Sequence, residues 1–319
     1  MSNFQFLISN EILNSKLEIL TSIFSHEPDL VQDLIKFLKK YRFPKFDCLA
    51  FTVGPGLAPA LWVGVNFARA LSVLFDLPLV PVNHLKGHIY GNWLNQKSSF
   101  NPFPAMALLI SGGHTQLILV NKDHEFKIVG ETRDDAVGEA YDKIAKFLGL
   151  PYPGGPIIEK LAEAGDSKFF DFPRPMIKQK NCDFSFSGLK TSVLYTLKNL
   201  PTTNYQLPTK RNIAASFQQA VVDVLVFKTI KAVKQSDIKI KSLMVGGGVA
   251  ANKKINQELL KAVKKELPKI KVYFAPKGVI TDNALMIAMA GYFNYLKKKT
   301  IDWHEVKALP NLRIDESKV

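Results

Sequence analysis

Two stretches of the chain share one build, in which an apolar strand runs directly into consecutive glycines and a small polar turn. They are 107–115, ALLISGGHT, and 243–252, LMVGGGVAAN. Glycine has no Cβ, so each turn lets main-chain N–H groups close on an anion at the mouth of a sheet. A plain strand-to-turn corner is the alternative for either stretch alone. Two such corners in one chain, with acidic and histidine motifs between and after them, favour a site for a phosphate or a nucleotide.

Strand-like and helical stretches alternate along the chain, which is the pattern of an α/β protein. The predicted strands are 48–53, 77–82, 107–110, 116–120, 243–245 and 271–274. The predicted helices are 29–41, 60–75, 135–148, 213–233, 252–267 and 282–297. Residues 200–210 are polar, contain two prolines and are predicted to form a loop. We expect two lobes with a cleft between them: a first lobe over 1–104, on which the C-terminal helix 283–319 packs, and a second lobe over 105–282.

Positive charge is in excess, because Lys and Arg number 42 and Asp and Glu number 28, a formal net charge of +14. This excess favours a polyanionic partner such as nucleic acid. However, only six of the basic residues are arginine, which binds phosphate better than lysine because it can donate two parallel hydrogen bonds. The two cysteines form no CxxC pair, which fits a reducing cytoplasm. The charge-free stretch 48–65 is broken by Gly54-Pro55-Gly56 and Pro59, so we predict no membrane span. The N-terminus has no basic segment and no cleavage site typical of a signal peptide.

His84 and His88 stand four residues apart in HLKGH, and on a helix both rings would face one metal ion. Two surface or capping histidines are the alternative. A zinc metalloprotease is disfavoured, because Leu85 occupies the position of the catalytic glutamate in HExxH. Asp282, in the sequence Thr-Asp-Asn at a helix start, either caps that helix or completes a site of two histidines and one carboxylate.

Residues 130–143 concentrate five carboxylates in a basic chain. Asp134 and Asp135 favour the positive end of the helix that follows them. Asp142 lies two turns into that helix, and with 153–156, PGGP, it could bracket a sugar by accepting hydroxyl protons. The aromatic and basic stretch 184–191, FSFSGLKT, suits either core packing or contact with an RNA strand.

Seven motifs in order carry a resemblance to a known family: NHLKGHIYG, LLISGGHTQLILV, GETRDDAVGEAYDKIAKFLGLPYPGGP, FSFSGLKTSV, NIAASFQQAVVDVL, VGGGVAANKKI and VITDNALMIAMAG. From about Phe51 to the C-terminus the chain resembles the universal tRNA N6-adenosine threonylcarbamoyltransferases. The resemblance implies an α/β fold of the actin, Hsp70 and sugar-kinase type, with two lobes around a nucleotide cleft. It also implies transfer of a threonylcarbamoyl group from threonylcarbamoyl-AMP to N6 of adenosine 37, in tRNAs that read codons beginning with A.

The resemblance further implies which residues carry the reaction. A divalent iron or zinc ion would be held by His84, His88 and Asp282 and would act in catalysis. The threonylcarbamoyl adenylate would be bound by main-chain donors of the first corner and by residues on its ribose and adenine side: Leu109, Ile110, Ser111, Gly112, Gly113, Asp142, Gly155, Glu159 and Asn252. The implied partners are tRNA and helper proteins, of the TsaB and TsaE type if the source is bacterial. The implied location is the cytoplasm.

The chain departs from the family at its start, because it has no glycine before Gly54. The family opens with a strand and a phosphate loop of the form GIETSCDETS, and Phe4–Ser9 is followed by no such loop. We therefore expect a first lobe shortened by roughly one strand, loop and hairpin. A displaced or truncated start, a natural variant completed by a partner, and a non-catalytic adenylate-binding paralogue or scaffold subunit are the alternatives. Poor solubility or a stabilising partner is expected from an exposed sheet edge, and a sugar kinase of the same fold is disfavoured without the loop.

Overall fold

The structure is a computed structural model, and it describes residues 10–25, 28–40, 45–97, 99–201 and 206–316. Phe4–Ser9, the stretch that no phosphate loop follows, lies outside this part. The chain divides into two compact units. Unit 1 comprises Met1–Gly87 and Ala284–Val319, and unit 2 comprises His88–Asn283. The lobe bounds expected from the sequence, 1–104 and 105–282, stay a prediction.

Unit 1 is built on two parallel strands, β1 (Leu49–Gly54) and β2 (Leu79–Asn83), joined through helix α3 (Ala58–Phe75). Proline in the first turn of α3 suits a helix start, because its missing N–H has no partner there in any helix. The other helices are α1 (Asn10–Ile23), α2 (Pro28–Lys40), α4 (His84–Tyr90), in which the division between the units falls, and α10 (Ala284–Leu296).

Unit 1 is held together by apolar packing between its helices and between α10 and the strands. Leu20 and Leu34 of the first two helices pack against Leu71 and Leu74 of α3. Helix α10 packs on both strands. After α10 the chain returns along the sheet, where the amide of Leu309 donates to the carbonyl of Val53 at 2.7 Å. The C-terminal segment is thus part of the core that carries β1.

Unit 2 is built on a five-stranded mixed sheet with the order β5-β4-β3-β6-β7. The strands are β3 (Ala105–Ile110), β4 (Thr115–Val120), β5 (Phe126–Glu131), β6 (Ser242–Gly246) and β7 (Lys271–Phe274). The first three form an antiparallel meander, and β6 and β7 run parallel to β3. The helices are α5 (Val137–Phe147), α6 (Gly154–Ala162), α7 (Ser187–Asn199), α8 (Leu207–Lys234) and α9 (Lys253–Glu266).

All six predicted strands and all six predicted helices are confirmed, with their ends shifted by a few residues. The predicted loop 200–210 is wrong over its last four residues, because α8 begins at Leu207 and not at residue 213. Pro208 lies in the first turn of α8, where proline is tolerated, so it opens the helix instead of excluding it. Residues 202–205 lie outside the described part.

Two helices, α3 and α8, are long and apolar enough to cross a membrane by length and composition alone. Core helices have the same properties, and α8 is mostly buried inside unit 2. The charge-free stretch 48–65 is divided into β1, a bend and the start of α3, as predicted. The prediction that no segment spans a membrane stays a prediction.

Candidate functional site

The two glycine corners lie side by side at one edge of the unit 2 sheet. Strands β3 and β6 are parallel neighbours, with Leu109 paired to Gly246, so their carboxyl ends meet at the same edge. Gly247 has φ +91° and ψ 159°, a conformation that is essentially restricted to glycine. A Cβ on Gly247 would also collide with the main-chain carbonyl of Ile110. The second corner is therefore packed directly against the end of the first strand.

A pocket of about 260 Å³ opens beside the two corners. Its lining comes from both corners, from α5, from the start of α6 and from the turn before α10: Gly112, Gly138, Tyr141, Asp142, Pro153, Gly155, Pro156, Glu159, Gly248, Val249, Ala251, Asn252 and Thr281. Five of the residues selected from the sequence are in this set, which are Gly112, Asp142, Gly155, Glu159 and Asn252. The two motifs that were separate in the sequence thus share one cavity.

The first corner lines the pocket through Gly112. The side chains of Leu109 and Ile110 are fully buried, and their main chains pair within the sheet. The amide of Ser111 donates to the carbonyl of His114 at 2.8 Å. Gly112 and Gly113 are exposed, and a Cβ on either would meet no atom within 4 Å. The open part of this corner is therefore the pair of glycines.

Two carboxylates of the pocket are positioned by main-chain amides at helix starts. Asp142 accepts a hydrogen bond at 2.7 Å from the amide of Gly154, the first residue of α6. Glu159 accepts one at 2.7 Å from the amide of Lys253, the first residue of α9. Each bond engages one carboxylate oxygen, and the second oxygen of each accepts no hydrogen bond from the described residues. These oxygens are able to accept hydroxyl protons from a ligand.

Asn252 lines the pocket, but its side chain is already committed to the fold. Its Oδ1 accepts from the amide of Ile255 at 3.0 Å and so caps α9. Its Nδ2 donates to Gln218 at 2.9 Å, and the side chain is buried. Gln218 also accepts a hydrogen bond from Tyr141, another pocket residue, at 3.4 Å. Asn252 therefore gives this wall its shape.

The histidines of HLKGH lie on one helix, α4, as the metal interpretation requires. The buried Asn83 accepts at 2.9 Å from the amide of Leu85 and fixes the start of this helix. His88 is only 3% exposed, so the surface alternative is wrong for this residue. Its Nε2 lies 3.2 Å from Oδ1 of Asp282. His84 lies one turn before His88 on the same helix.

Two imidazoles and a carboxylate are donors that suit ferrous iron or zinc. The carboxylate follows Thr281 directly, and Thr281 lines the pocket. Asp282, one of the candidate metal ligands, is therefore next to the pocket along the chain. No sequence signal selected Thr281 for this pocket.

Helix α4 is fastened to the second corner through the main chain of His88. A Cβ on Gly246 would lie 2.7 Å from the carbonyl oxygen of His88, so only glycine allows this approach. The fully buried Asn92 donates to the carbonyl of Ile89 at 3.0 Å and lies 3.5 Å from that of Val245 in β6. The metal-ligand candidate His88 is thus fixed relative to the strand that ends in the second corner.

The acidic segment before α5 has a different role from the one expected. Asp134 does not serve α5, because it accepts hydrogen bonds from the amides of Phe186 and Ser187 and from two serine hydroxyls at the start of α7. Asp135 pairs with Lys143 at 2.8 Å and with Lys190 at 2.7 Å. Burial opposes ionisation of Asp135, but these two lysines hold its pKa below the ordinary value. Both carboxylates connect segments far apart in the chain.

The aromatic stretch 184–191 is resolved in favour of core packing. Phe184 and Phe186 are fully buried in the core of unit 2, with their rings stacked at 6.3 Å. They cannot stack on an RNA strand, so that alternative is wrong for both. Lys190, the basic residue of the stretch, is bound to Asp135.

Comparison with known proteins gives one consistent family. The family model "TsaD: tRNA N6-adenosine threonylcarbamoyltransferase" matches residues 26–289. A protein of that name from Listeria monocytogenes serotype 4b is 48% identical over 270 residues, which cover 85% of this chain and 76% of the relative. One from Thermosipho africanus is 46% identical over 270 residues, which cover 85% of this chain and 79% of the relative. The crystal structure of T. kodakarensis HypF is similar with a TM-score of 0.59 at 14% identity, over 83% of this chain and 42% of HypF, which is a likeness of fold alone.

Proposed function

The chain belongs to the tRNA N6-adenosine threonylcarbamoyltransferase family, and from this membership we propose that the 260 Å³ pocket of unit 2 binds the donor, threonylcarbamoyl-AMP. The chain is a transferase that forms threonylcarbamoyladenosine in tRNA. Its fold is the α/β fold of the actin, Hsp70 and sugar-kinase type that the motifs imply. The alternative of a non-catalytic paralogue or scaffold subunit has no support among these relatives.

The observation that carries the donor proposal is the meeting of the two glycine corners at one pocket. Gly112 and Gly113 face open space, so their main chain is free to approach the phosphate and acyl part of an adenylate. Asp142 and Glu159 each keep one oxygen for a ribose hydroxyl. The wall from Gly248 to Asn252 then borders the adenosine. These placements give each part of the ligand a matching surface.

In the proposed reaction, N6 of adenosine 37 attacks the carbamoyl carbon of the adenylate. A nitrogen–carbon bond forms, the carbon–oxygen bond to the phosphate breaks, AMP leaves with the bonding electrons, and the amine releases a proton. The substrates are tRNAs that read codons beginning with A. The contribution of this chain is to hold both reactants in a reactive arrangement and to direct main-chain dipoles at the leaving phosphate.

His84, His88 and Asp282 are the residues proposed to hold one iron or zinc ion, since their donor atoms suit it. Such an ion supplies Lewis-acid stabilisation of negative charge on carbamoyl or phosphate oxygens. The buried Asn83 and Asn92 keep α4 in place for these ligands. We also propose that the protein works in the cytoplasm with helper proteins of the TsaB and TsaE type, consistent with its two free cysteines.

The test is to incubate the purified chain with threonylcarbamoyl-AMP, unmodified tRNA and the helper proteins, and to measure modified adenosine by mass spectrometry of the nucleosides. The expected result is one modified adenosine per tRNA with release of AMP. Omission of the chain is the control. Tight binding of the adenylate without modified adenosine above that control would contradict the enzyme and support a non-catalytic subunit.

A further inference from the structure

An exposed aromatic ring stands at the lip of the pocket. Tyr152 is 84% exposed, the highest value among the large hydrophobic side chains of the described residues. It directly precedes Pro153, and the lining continues through Gly155 and Pro156. Pro151, on its other side, is also exposed. Residues 151–153 therefore form an apolar ridge that continues the pocket wall outward into solvent.

The ridge is held rigidly from below. The amide of Gly154 donates to Asp142 at 2.7 Å, and a Cβ on Gly154 would collide with the side chain of Ala145. Before the ridge, the amide of Leu150 donates to the carbonyl of Ala145 at 2.9 Å. Prolines at 151 and 153 restrict the backbone on both sides of Tyr152. A ring on such a fixed backbone loses little conformational freedom when a ligand binds it.

Positive charge lies on the helices that flank the ridge. Lys146 is exposed in the last turn of α5, which ends four residues before Pro151. Lys160 is exposed in the last turn of α6, which begins two residues after Tyr152. An apolar platform with exposed lysines on the helices before and after it matches a single-stranded nucleic acid, whose bases stack on aromatic rings while its phosphates attract lysine.

We propose that Tyr152 is a stacking platform for a tRNA base next to the adenosine that is modified. The proposal rests on the proposed function, since it places the nucleotide acceptor at the mouth of the donor pocket. Adenosine has to leave its stack in the RNA loop for N6 to reach the donor, and the ring replaces part of the lost stacking. Tyr152 acts in this role by contact with substrate and takes no part in bond making.

The experiment measures binding of an anticodon stem-loop RNA that carries 2-aminopurine beside the target adenosine, with the full chain and its helper proteins. Stacking on an aromatic ring is worth about 1–3 kcal/mol per base, so Tyr152→Ala is expected to raise the Kd for RNA about 5- to 150-fold. The fluorescence quenching of 2-aminopurine on binding is expected to be lost as well. Tyr152→Phe keeps the ring and is expected to stay within about twofold of the unchanged protein.

Tyr195→Ala is the matched control, because Tyr195 is also an exposed tyrosine, 59% exposed on α7, and does not line the pocket. Its Kd for RNA is expected to remain unchanged, and the Kd of all variants for threonylcarbamoyl-AMP is expected to remain unchanged. Equal RNA binding and quenching by Tyr152→Ala and the unchanged protein would overturn the stacking role. RNA binding that depends on Tyr152 without any modified adenosine would support the platform and contradict the donor chemistry, so the two proposals fail separately.

Discussion

The two glycine corners have nearly the same sequence build and opposite surroundings. At the first corner, a Cβ on Gly112 or Gly113 meets nothing within 4 Å. At the second, Gly246 lies against the carbonyl of His88 and Gly247 against that of Ile110. Glycine is therefore required at the second corner by packing, and at the first only if a ligand comes close to the backbone. The same motif thus leaves the main chain accessible at the first corner and allows close packing at the second.

This difference follows from what lies at the end of each strand. β6 lies between β3 and β7, and its end is covered by α4. β3 turns back into β4, so the turn after Ile110 projects beyond the sheet edge. A strand that ends under a helix leaves no room for side chains, whereas a hairpin turn remains accessible. The comparison predicts that substitutions at the two corners separate stability from ligand binding.

The largest effect is expected for Gly247→Ala. The methyl group would collide with the carbonyl of Ile110, and alanine disfavours φ +91° with ψ 159°. We expect a loss of about 3 kcal/mol or more in the free energy of unfolding, measured by denaturant titration. Gly248→Ala is the matched control, since a Cβ there meets nothing within 4 Å. Equal stability of the two variants would show that the second corner is not closely packed.

A second large effect is expected for metal content, because the second corner also carries α4. His88→Ala removes one candidate ligand and leaves the main-chain contact with Gly246 in place. Loss of one of three protein ligands is expected to lower metal affinity at least about 10- to 100-fold, measured by elemental analysis after dialysis against a weak chelator. His304→Ala is the control, because His304 forms an exposed pair with Asp302 at 2.6 Å. Unchanged metal content in His88→Ala would favour a histidine that only packs.

Gly112→Ala at the first corner is expected to have a smaller effect, and one on ligand binding instead of stability. Stability should stay within about 0.5 kcal/mol, because the added methyl group meets no protein atom. Affinity for threonylcarbamoyl-AMP should fall by about 1–3 kcal/mol, since the methyl group occupies space that the ligand needs. Calorimetric titration measures this change. A variant that loses stability but binds the adenylate normally would reverse the comparison of the corners.

The features predicted correctly from sequence are those with local causes. Strand and helix periods, the strand-to-glycine corners and the helical spacing of His84 and His88 need only neighbouring residues. The errors concern long-range partners: Asp134 binds the start of α7, more than 50 residues away, instead of the next helix. Tyr141 and Thr281 reach the pocket through topology, and no motif marks them. Sequence patterns alone do not specify which distant segments a fold brings together.

The contacts that hold the two corners in place are expected to differ in their dependence on pH. Thr115, at the end of that corner, accepts from the amides of Thr132 and Val137, on either side of Asp134. Burial opposes ionisation of Asp134, but hydrogen bonds from Ser185 and Ser187 hold its pKa below the ordinary value of 3.8. The second corner is held by main-chain packing, which does not titrate. Acid should therefore weaken the support of the first corner selectively.

The sign follows from the lowered pKa in the folded state. Above pH 3.8 Asp134 contributes its full stabilisation, and the contribution is lost as the pH falls through the folded-state pKa. The difference in Tm between the unchanged protein and Asp134→Ala should be largest at pH 6 and shrink below pH 3.8, by thermal unfolding followed with circular dichroism. Thr191→Ala removes a hydroxyl group from the same helix and no charge, so its Tm difference should not change with pH. A pH-independent difference for Asp134→Ala would mean that α7 is held by the neutral contacts of residue 134, and that both corners rest on packing alone.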